Sequence, residues 1–145
     1  MNYITAKPID ITPCIRLIKE DISYFPGLTV PETEKVLRQA VPGGEVILAK
    51  DEGKIIGLLI FRRATAELMF MGVEPEYRGK GIGADLFRYM CSVIPKGKTI
   101  KTITFRTNNE DYPADQSYFV RLGFKPGRMM ERDGVPSQEF TYENK

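Results

Sequence analysis

The residues best able to do chemistry lie in one stretch, Ala66 to Pro95, and the first of them are glycines. Arg78-Gly79-Lys80-Gly81-Ile82-Gly83 runs into an apolar series at helical spacing, Ile82, Leu86, Tyr89, Met90 and Val93, which Pro95 stops. A glycine-rich turn feeding a helix N-terminus aims several backbone N–H groups in one direction. The helix dipole adds positive potential there, so the loop suits a phosphate or pyrophosphate. Glu67 is the second candidate. It opens a strand, Ala66 to Val73, whose next residues, Leu68 to Met71, are all apolar. A carboxylate in that company stands at a cleft, on the solvent side of the strand end, or paired with Arg62 or Arg63. The chain contains no histidine. That excludes Ser-His-Asp and Cys-His nucleophilic sites and every histidine metal ligand. Acid–base work falls to carboxylate, tyrosine, lysine or cysteine.

Two common phosphate loops fit the glycines poorly. A Walker A loop ends in Gly-Lys-Ser/Thr, whereas Gly79-Lys80 is followed by Gly81. Gly79, Gly81 and Ala84 match the G-x-G-x-x-A of a dinucleotide fingerprint. That fingerprint needs an acidic residue at the end of the next strand, where Thr99 to Arg106 offers Lys101 and Arg106 instead. The loop also follows an antiparallel hairpin in mid-chain, which is not where a mononucleotide-binding half begins.

The elements that must position these residues are legible. Tyr3 to Ile9 reads as a first strand, and Thr12-Pro13 as the start of a helix carrying Ile15, Ile18, Ile22 and Phe25, ended by Pro26-Gly27. A second helix covers Pro31 to Val41. Glu45 to Lys50 and Lys54 to Arg63 form a hairpin about Asp51-Glu52-Gly53, the second strand apolar enough to be covered on both faces. After the glycine loop and its helix, Thr99 to Arg106 is a β-branched strand, so Ala66–Val73 and Thr99–Arg106 are expected to run parallel about a crossover. A helix from Pro113 to Leu122, stopped by Gly123, and a hairpin about Asp133-Gly134 complete the chain.

The 145 residues suffice for one domain over residues 1–145, the composition, 42% hydrophobic and 28% charged, is that of a soluble globular protein, and the order of elements is that of a mixed α/β sheet domain. A net charge of +2 without a basic aromatic stripe gives no footing for nucleic acid. The longest apolar run, Ile55 to Phe61, is too short for a bilayer, and the N-terminus lacks a signal-peptide pattern. Cys14 and Cys91 are no disulfide framework and fit free thiols in a reducing cytoplasm. The C-terminal hairpin offers an edge for pairing in a homodimer.

The segment Val73-Glu74-Pro75-Glu76-Tyr77 with Arg78-Gly79-Lys80-Gly81-Ile82-Gly83 resembles the coenzyme A motif, Q/R-x-x-G-x-G/A, of the GNAT (Gcn5-related) N-acetyltransferases. Tyr118-Phe119-Val120-Arg121-Leu122-Gly123-Phe124 is similar to that family's late Gly-Phe segment. The resemblance covers nearly the whole chain in order of elements. It implies a mixed, mostly antiparallel sheet with one parallel crossover flanked by about four helices. It also implies acetyl transfer from acetyl-CoA to a primary amine by direct attack, without metal, the acceptor being a small molecule or peptide. On that resemblance the pyrophosphate lies on the backbone of Arg78, Gly79, Lys80, Gly81, Ile82, Gly83 and Ala84. The pantetheine arm lies beside Met71, Gly72 and Val73, Gly72 suiting the bulge that splays this strand from its parallel neighbour, with the Val73 N–H polarising the thioester carbonyl. Glu67, eleven residues before Arg78, stands where the histone-acetylating branch carries its catalytic glutamate. The family's thiolate-protonating tyrosine falls on Phe119, a departure. Tyr118 takes the role, or Tyr112, or the thiolate leaves unaided; Asn108 and Asn109 lie near the family's loop asparagine. With that tyrosine missing, a non-catalytic acyl-CoA sensor or scaffold is the alternative reading.

Overall fold

The computed structural model describes residues 1–21, 29–105, 113–132 and 134–145. Phe25, Pro26-Gly27, Arg106, Asn108, Asn109 and Tyr112 lie outside them. The elements are β1 (Asn2–Thr5), α1 (Ile11–Asp21), α2 (Val30–Ala40), β2 (Val46–Asp51), β3 (Lys54–Arg62), β4 (Glu67–Val73), α3 (Ile82–Val93), β5 (Thr99–Phe105), α4 (Pro113–Leu122), β6 (Lys125–Arg132) and β7 (Val135–Glu143). The seven strands form one sheet in the order β1-β2-β3-β4-β5-β7-β6, with β4–β5 parallel and every other pair antiparallel.

Each sheet face carries its own core. Ile82, Leu86, Phe87 and Met90 of α3 and Phe119 of α4 pack with Leu59, Phe61, Leu68, Ile100 and Phe140. Cys14, Leu17 and Ile18 of α1 and Leu37 of α2 pack on the opposite face with Leu48, Leu58, Ile60 and Phe70. Among the described residues the second core draws on β1 to β4 and on no residue of β5, β7 or β6. Strand β3 is buried from Ile55 to Phe61, as expected of a strand between two helical layers. Its hairpin turn puts both Glu52 and Gly53 at positive φ, the two-residue geometry that matches strand twist.

The first strand is shorter than the sequence suggests. It ends at Thr5, and Pro8–Asp10 forms a 3-10 turn that runs into α1, so Thr12 is not the N-cap. Pro8 has no N–H for a ladder, and the Asp10 carboxylate accepts the Lys7 N–H at 2.8 Å, which turns the chain early. Lys50 Nζ lies 3.0 Å from the other Asp10 oxygen. Burial pushes the Asp10 carboxyl up, but the Lys7 N–H and the Lys50 ammonium outweigh it and hold the group below the ordinary aspartate range. The folded pKa is depressed, so this stabilisation is complete above an unfolded aspartate pKa of about 4 and is lost as pH falls through the folded value. Asp10→Asn is expected to destabilise the protein by about 1–3 kcal/mol at neutral pH. Thermal denaturation across a pH series checks this: the gap between wild type and variant should close in acid.

At the far edge, β6 carries Pro126 and a register shift between Pro126 and Met129, both features that interrupt an exposed ladder. Cys14 is fully buried, its thiol pushed up to about 12 by burial; Cys91 is half-buried. Among the described residues no helix is long and apolar enough to cross a membrane.

Candidate active site

The site is built where β4 leaves its neighbour. A single register pair, Glu67↔Lys101, joins β4 to β5. Lys101 N–H donates to Ala66 C=O at 3.0 Å, and the next contact comes from a side chain: Thr102 Oγ1 donates to Leu68 C=O at 3.0 Å. A threonine hydroxyl thus takes the carbonyl that a backbone amide would take in a continuing ladder. Among the described residues Met71, Gly72 and Val73 have no register partner on β5. The opposite side of β4 is fully paired with β3, and Glu74 N–H donates to Ile56 C=O at 2.8 Å. Backbone N–H groups alternate along a strand, so those of Met71 and Val73 face the gap.

The bulge that accompanies this divergence is at Met69 rather than Gly72. Ile60 pairs with Phe70 and Phe61 with Leu68, leaving Met69 as the extra residue. Gly72 lies opposite Leu58 in regular pairing. The bulge has a consequence for the faces of β4. Leu68, Met71 and Val73 face α3 and α4, whereas Met69 and Phe70 face α1 and α2. Glu67, next to Leu68 and across from Arg62, is on the α1/α2 face.

Beyond Val73 the chain makes a 3-10 turn, Pro75–Tyr77, and then the glycine loop. Gly79 and Gly81 have φ of +79° and +80°, a left-handed conformation that disfavours any residue with a Cβ even though open space surrounds both. Gly81 is the N-cap of α3 and has no side-chain cap; Asp85 N–H makes the first intrahelical bond, to Gly81 C=O at 3.0 Å. The N–H groups of Ile82, Gly83 and Ala84 therefore have no intrahelical acceptor, and with the helix dipole they form an anion cradle. Arg78 Nε donates to Val73 C=O at 2.9 Å, tying the loop to the end of β4. Tyr77 donates to Asp51 Oδ2 at 2.9 Å, which anchors the same turn to the β2–β3 hairpin, and Lys80 Nζ lies 5.4 Å from the Tyr77 ring centre. Gly81→Ala is expected to weaken anion binding about tenfold by straining this start of the helix; calorimetric titration with coenzyme A checks it.

Gly83 differs from its neighbours. It is helical and buried, and a Cβ there would lie 2.0 Å from the Tyr118 hydroxyl and 3.7 Å from Met71 Cε. The phenol of Tyr118 thus sits between the first turn of α3 and β4. Burial pushes its pKa up, with Arg121 opposing, so the group keeps its proton beyond the usual tyrosine range. Phe119, the position aligned with the family tyrosine, is buried in the core with its ring 5.4 Å from Phe124 and 6.4 Å from Phe140. The structure therefore brings Tyr118, Met71, Val73 and the glycine loop together on one face and puts Glu67 on the other. Thr102 and Asp51, which hold the gap and the loop, went unnoticed in the sequence because neither belongs to a local motif. Asn144 is a third case: its amide donates at 3.0 Å to Cys91 C=O and Ile94 C=O, closing the C-terminal end of α3. Among the described residues no three His, Cys, Asp or Glu side chains gather as a metal site.

Comparison with known proteins agrees with this geometry. A family model described as the acetyltransferase (GNAT) domain matches residues 42–126, more than half of the chain, including β4, the glycine loop, α3 and Tyr118. No curated protein matches. Among solved structures, the chain is similar to a GNAT-family acetyltransferase from Bacillus cereus, with a TM-score of 0.78 at 20% identity, covering 98% of this chain and 96% of that one. It is also similar to a ribosomal-protein-alanine N-acetyltransferase from Brucella melitensis (TM-score 0.74, 12% identity, 99% of each chain). The ribosomal-protein-S18-alanine N-acetyltransferase of Escherichia coli matches at TM-score 0.72 and 14% identity over 97% of this chain and 91% of that one. At these identities the likeness is one of fold, and with the family match it leads to one statement: the chain belongs to the GNAT acetyltransferase family.

Proposed function

We propose that the protein is an N-acetyltransferase that moves the acetyl group of acetyl-CoA to a primary amine by direct attack, with no covalent enzyme intermediate. The observation that carries this reading is the divergence of β4 from β5 beside an uncapped helix N-terminus. The donor set fits coenzyme A: the N–H groups of Ile82, Gly83 and Ala84 suit a pyrophosphate, with Arg78, Gly79, Lys80 and Gly81 forming the approach. Met71, Gly72 and Val73 would carry the pantetheine arm through backbone groups that face the gap. When bound, acetyl-CoA supplies an activated thioester.

The remaining chemistry belongs to the protein. An ammonium has no lone pair, so Glu67 takes a proton from the incoming amine, directly or through water. The Val73 N–H donates to the oxygen on which charge develops. Tyr118, held protonated by burial, returns a proton to the departing sulfur. Glu67 and Tyr118 lie on opposite faces of the sheet, so the acceptor approaches from the α1 and α2 side and the coenzyme from the α3 side. A cytoplasmic location is part of this reading, supported by two free thiols.

Thermal shift and thiol release test it. Acetyl-CoA should raise the melting temperature, and some member of an amine panel should release free thiol. A rise with NAD and none with acetyl-CoA would overturn the reading, as would tight acetyl-CoA binding with no transfer to any amine.

A further inference from the structure

Two continuous strands border the gap, and one side chain stands where they part. Strand β4 stays in register with β3 as far as Gly57↔Val73, and β5 stays in register with β7 from Thr99↔Glu143 to Phe105↔Ser137. Beyond the Met69 bulge each strand is therefore regular on its outer side, and the opening belongs to the seam between them. The parallel ladder begins with Lys101 N–H on Ala66 C=O. Groups that face one neighbour recur at every second residue, so the next rung of a continuing ladder joins Ile103 N–H to Leu68 C=O. That rung is replaced. Leu68 C=O takes the Thr102 hydroxyl at 3.0 Å, and register pairing stops at Glu67↔Lys101.

The exchange satisfies two buried groups at once. Thr102 and Leu68 are each 3% exposed, where a hydroxyl or a carbonyl without a partner is costly. Ile100, two residues earlier on the same face, and Phe140, the register partner of Thr102 on β7, are buried as well and hold the threonine in place. A backbone amide in a ladder brings its own chain to about 4.8 Å from its neighbour, whereas a hydroxyl carried on Cβ stands between the two chains and keeps them wider apart. We propose that Thr102 is a positioning residue for the coenzyme: its hydroxyl caps the last joined carbonyl of β4 and wedges β5 away, so that the Met71 and Val73 N–H groups stay open to the pantetheine arm. The ligand in this inference rests on the acetyl-CoA reading; the wedge is a property of the sheet itself. Valine has nearly the volume of threonine and no donor. With valine at 102, Leu68 C=O is left without its partner, and the ladder can satisfy it by closing one rung further, onto Ile103 N–H. The gap then narrows from its joined end.

Hydrogen exchange read by NMR and calorimetric titration with coenzyme A test this on the full chain. In the unliganded wild type the Ile103 amide should exchange fast although it lies inside a strand, while the Lys101 amide is protected. In Thr102→Val the Ile103 amide should slow by about tenfold or more, because it acquires an acceptor. The affinity for coenzyme A should fall about tenfold in the same variant, the equivalent of one hydrogen bond. Thr102→Ser keeps the donor and should match the wild type in Ile103 exchange and, within about twofold, in affinity. A protected Ile103 amide in the unliganded wild type overturns the proposal without recourse to any variant. So does unchanged coenzyme affinity in Thr102→Val, a loss of affinity with Ile103 exchange unaltered, or a serine variant that behaves like valine. Failure of the wild type to bind coenzyme A would instead remove the functional reading, and the Ile103 amide would still report on the wedge.

Discussion

Gly83→Ala should cost the protein about 1–3 kcal/mol of stability and most of its activity, and Tyr118→Phe in the same chain should restore the stability but not the activity. The argument is steric. A Cβ at position 83 falls 2.0 Å from the Tyr118 hydroxyl, a distance that no side-chain pair tolerates, and 3.1 Å from the Tyr118 ring carbon that bears it. The phenol must swing away or α3 must shift, and either movement disturbs the anion cradle, since Gly83 lies in its first turn. Removing the hydroxyl leaves a contact that a few tenths of an ångström relieve. A double-mutant cycle on melting temperature therefore should show a coupling that restores stability. Activity separates the seat from the proton. Tyr118→Phe alone keeps the ring but loses the proton donor, so kcat should fall with little change in the KM for acetyl-CoA. The alkaline limb of its pH profile should also disappear if that limb reports the phenol, whose pKa burial raises. An additive cycle would show that the phenol does not rest on Gly83.

Glu67→Gln should lower kcat by about 100- to 1000-fold, in the range of a lost general base, while the affinity for acetyl-CoA stays within about twofold. The two readouts part because of the sheet. The coenzyme cradle is on the α3 side, and Glu67 is on the α1 and α2 side, one residue before the bulged stretch begins. Glutamine keeps the size of the side chain and removes its capacity to hold a proton. A second readout sharpens the result: an acceptor amine with a lower pKa should recover part of the rate lost in the variant. Retention of full kcat by Glu67→Gln would remove Glu67 from the reaction, and acetyl transfer would then need another base.

The parts that were legible in the sequence are those made by consecutive residues. The glycine loop, its helix and the preceding strand form the anion cradle from neighbouring backbone groups, so Arg78 to Ala84 could be recognised without knowing any long-range contact. Element order, the parallel crossover and the fully covered β3 were legible for the same reason, because hydrophobic period and turn residues are local signals. The early end of β1 was half legible: Pro8 was visible as a strand breaker, but the capture of the Lys7 amide by Asp10 was not.

Tertiary structure decided everything that depends on which residue faces which. An extra residue at Met69 rather than at Gly72 sets the two faces of β4, because side chains alternate strictly along a strand and one insertion reverses the alternation. That single offset places Glu67 across the sheet from Tyr118. Likewise, the motif aligned Phe119 with the family tyrosine, whereas packing sends Phe119 into the core against Phe124 and Phe140 and leaves Tyr118 to fill the space over Gly83. The sequence by itself determined that this chain has a coenzyme-like anion loop on a strand–helix unit. Only the folded sheet determined that Glu67 and Tyr118 lie on opposite faces, since register and packing join residues that the chain keeps far apart.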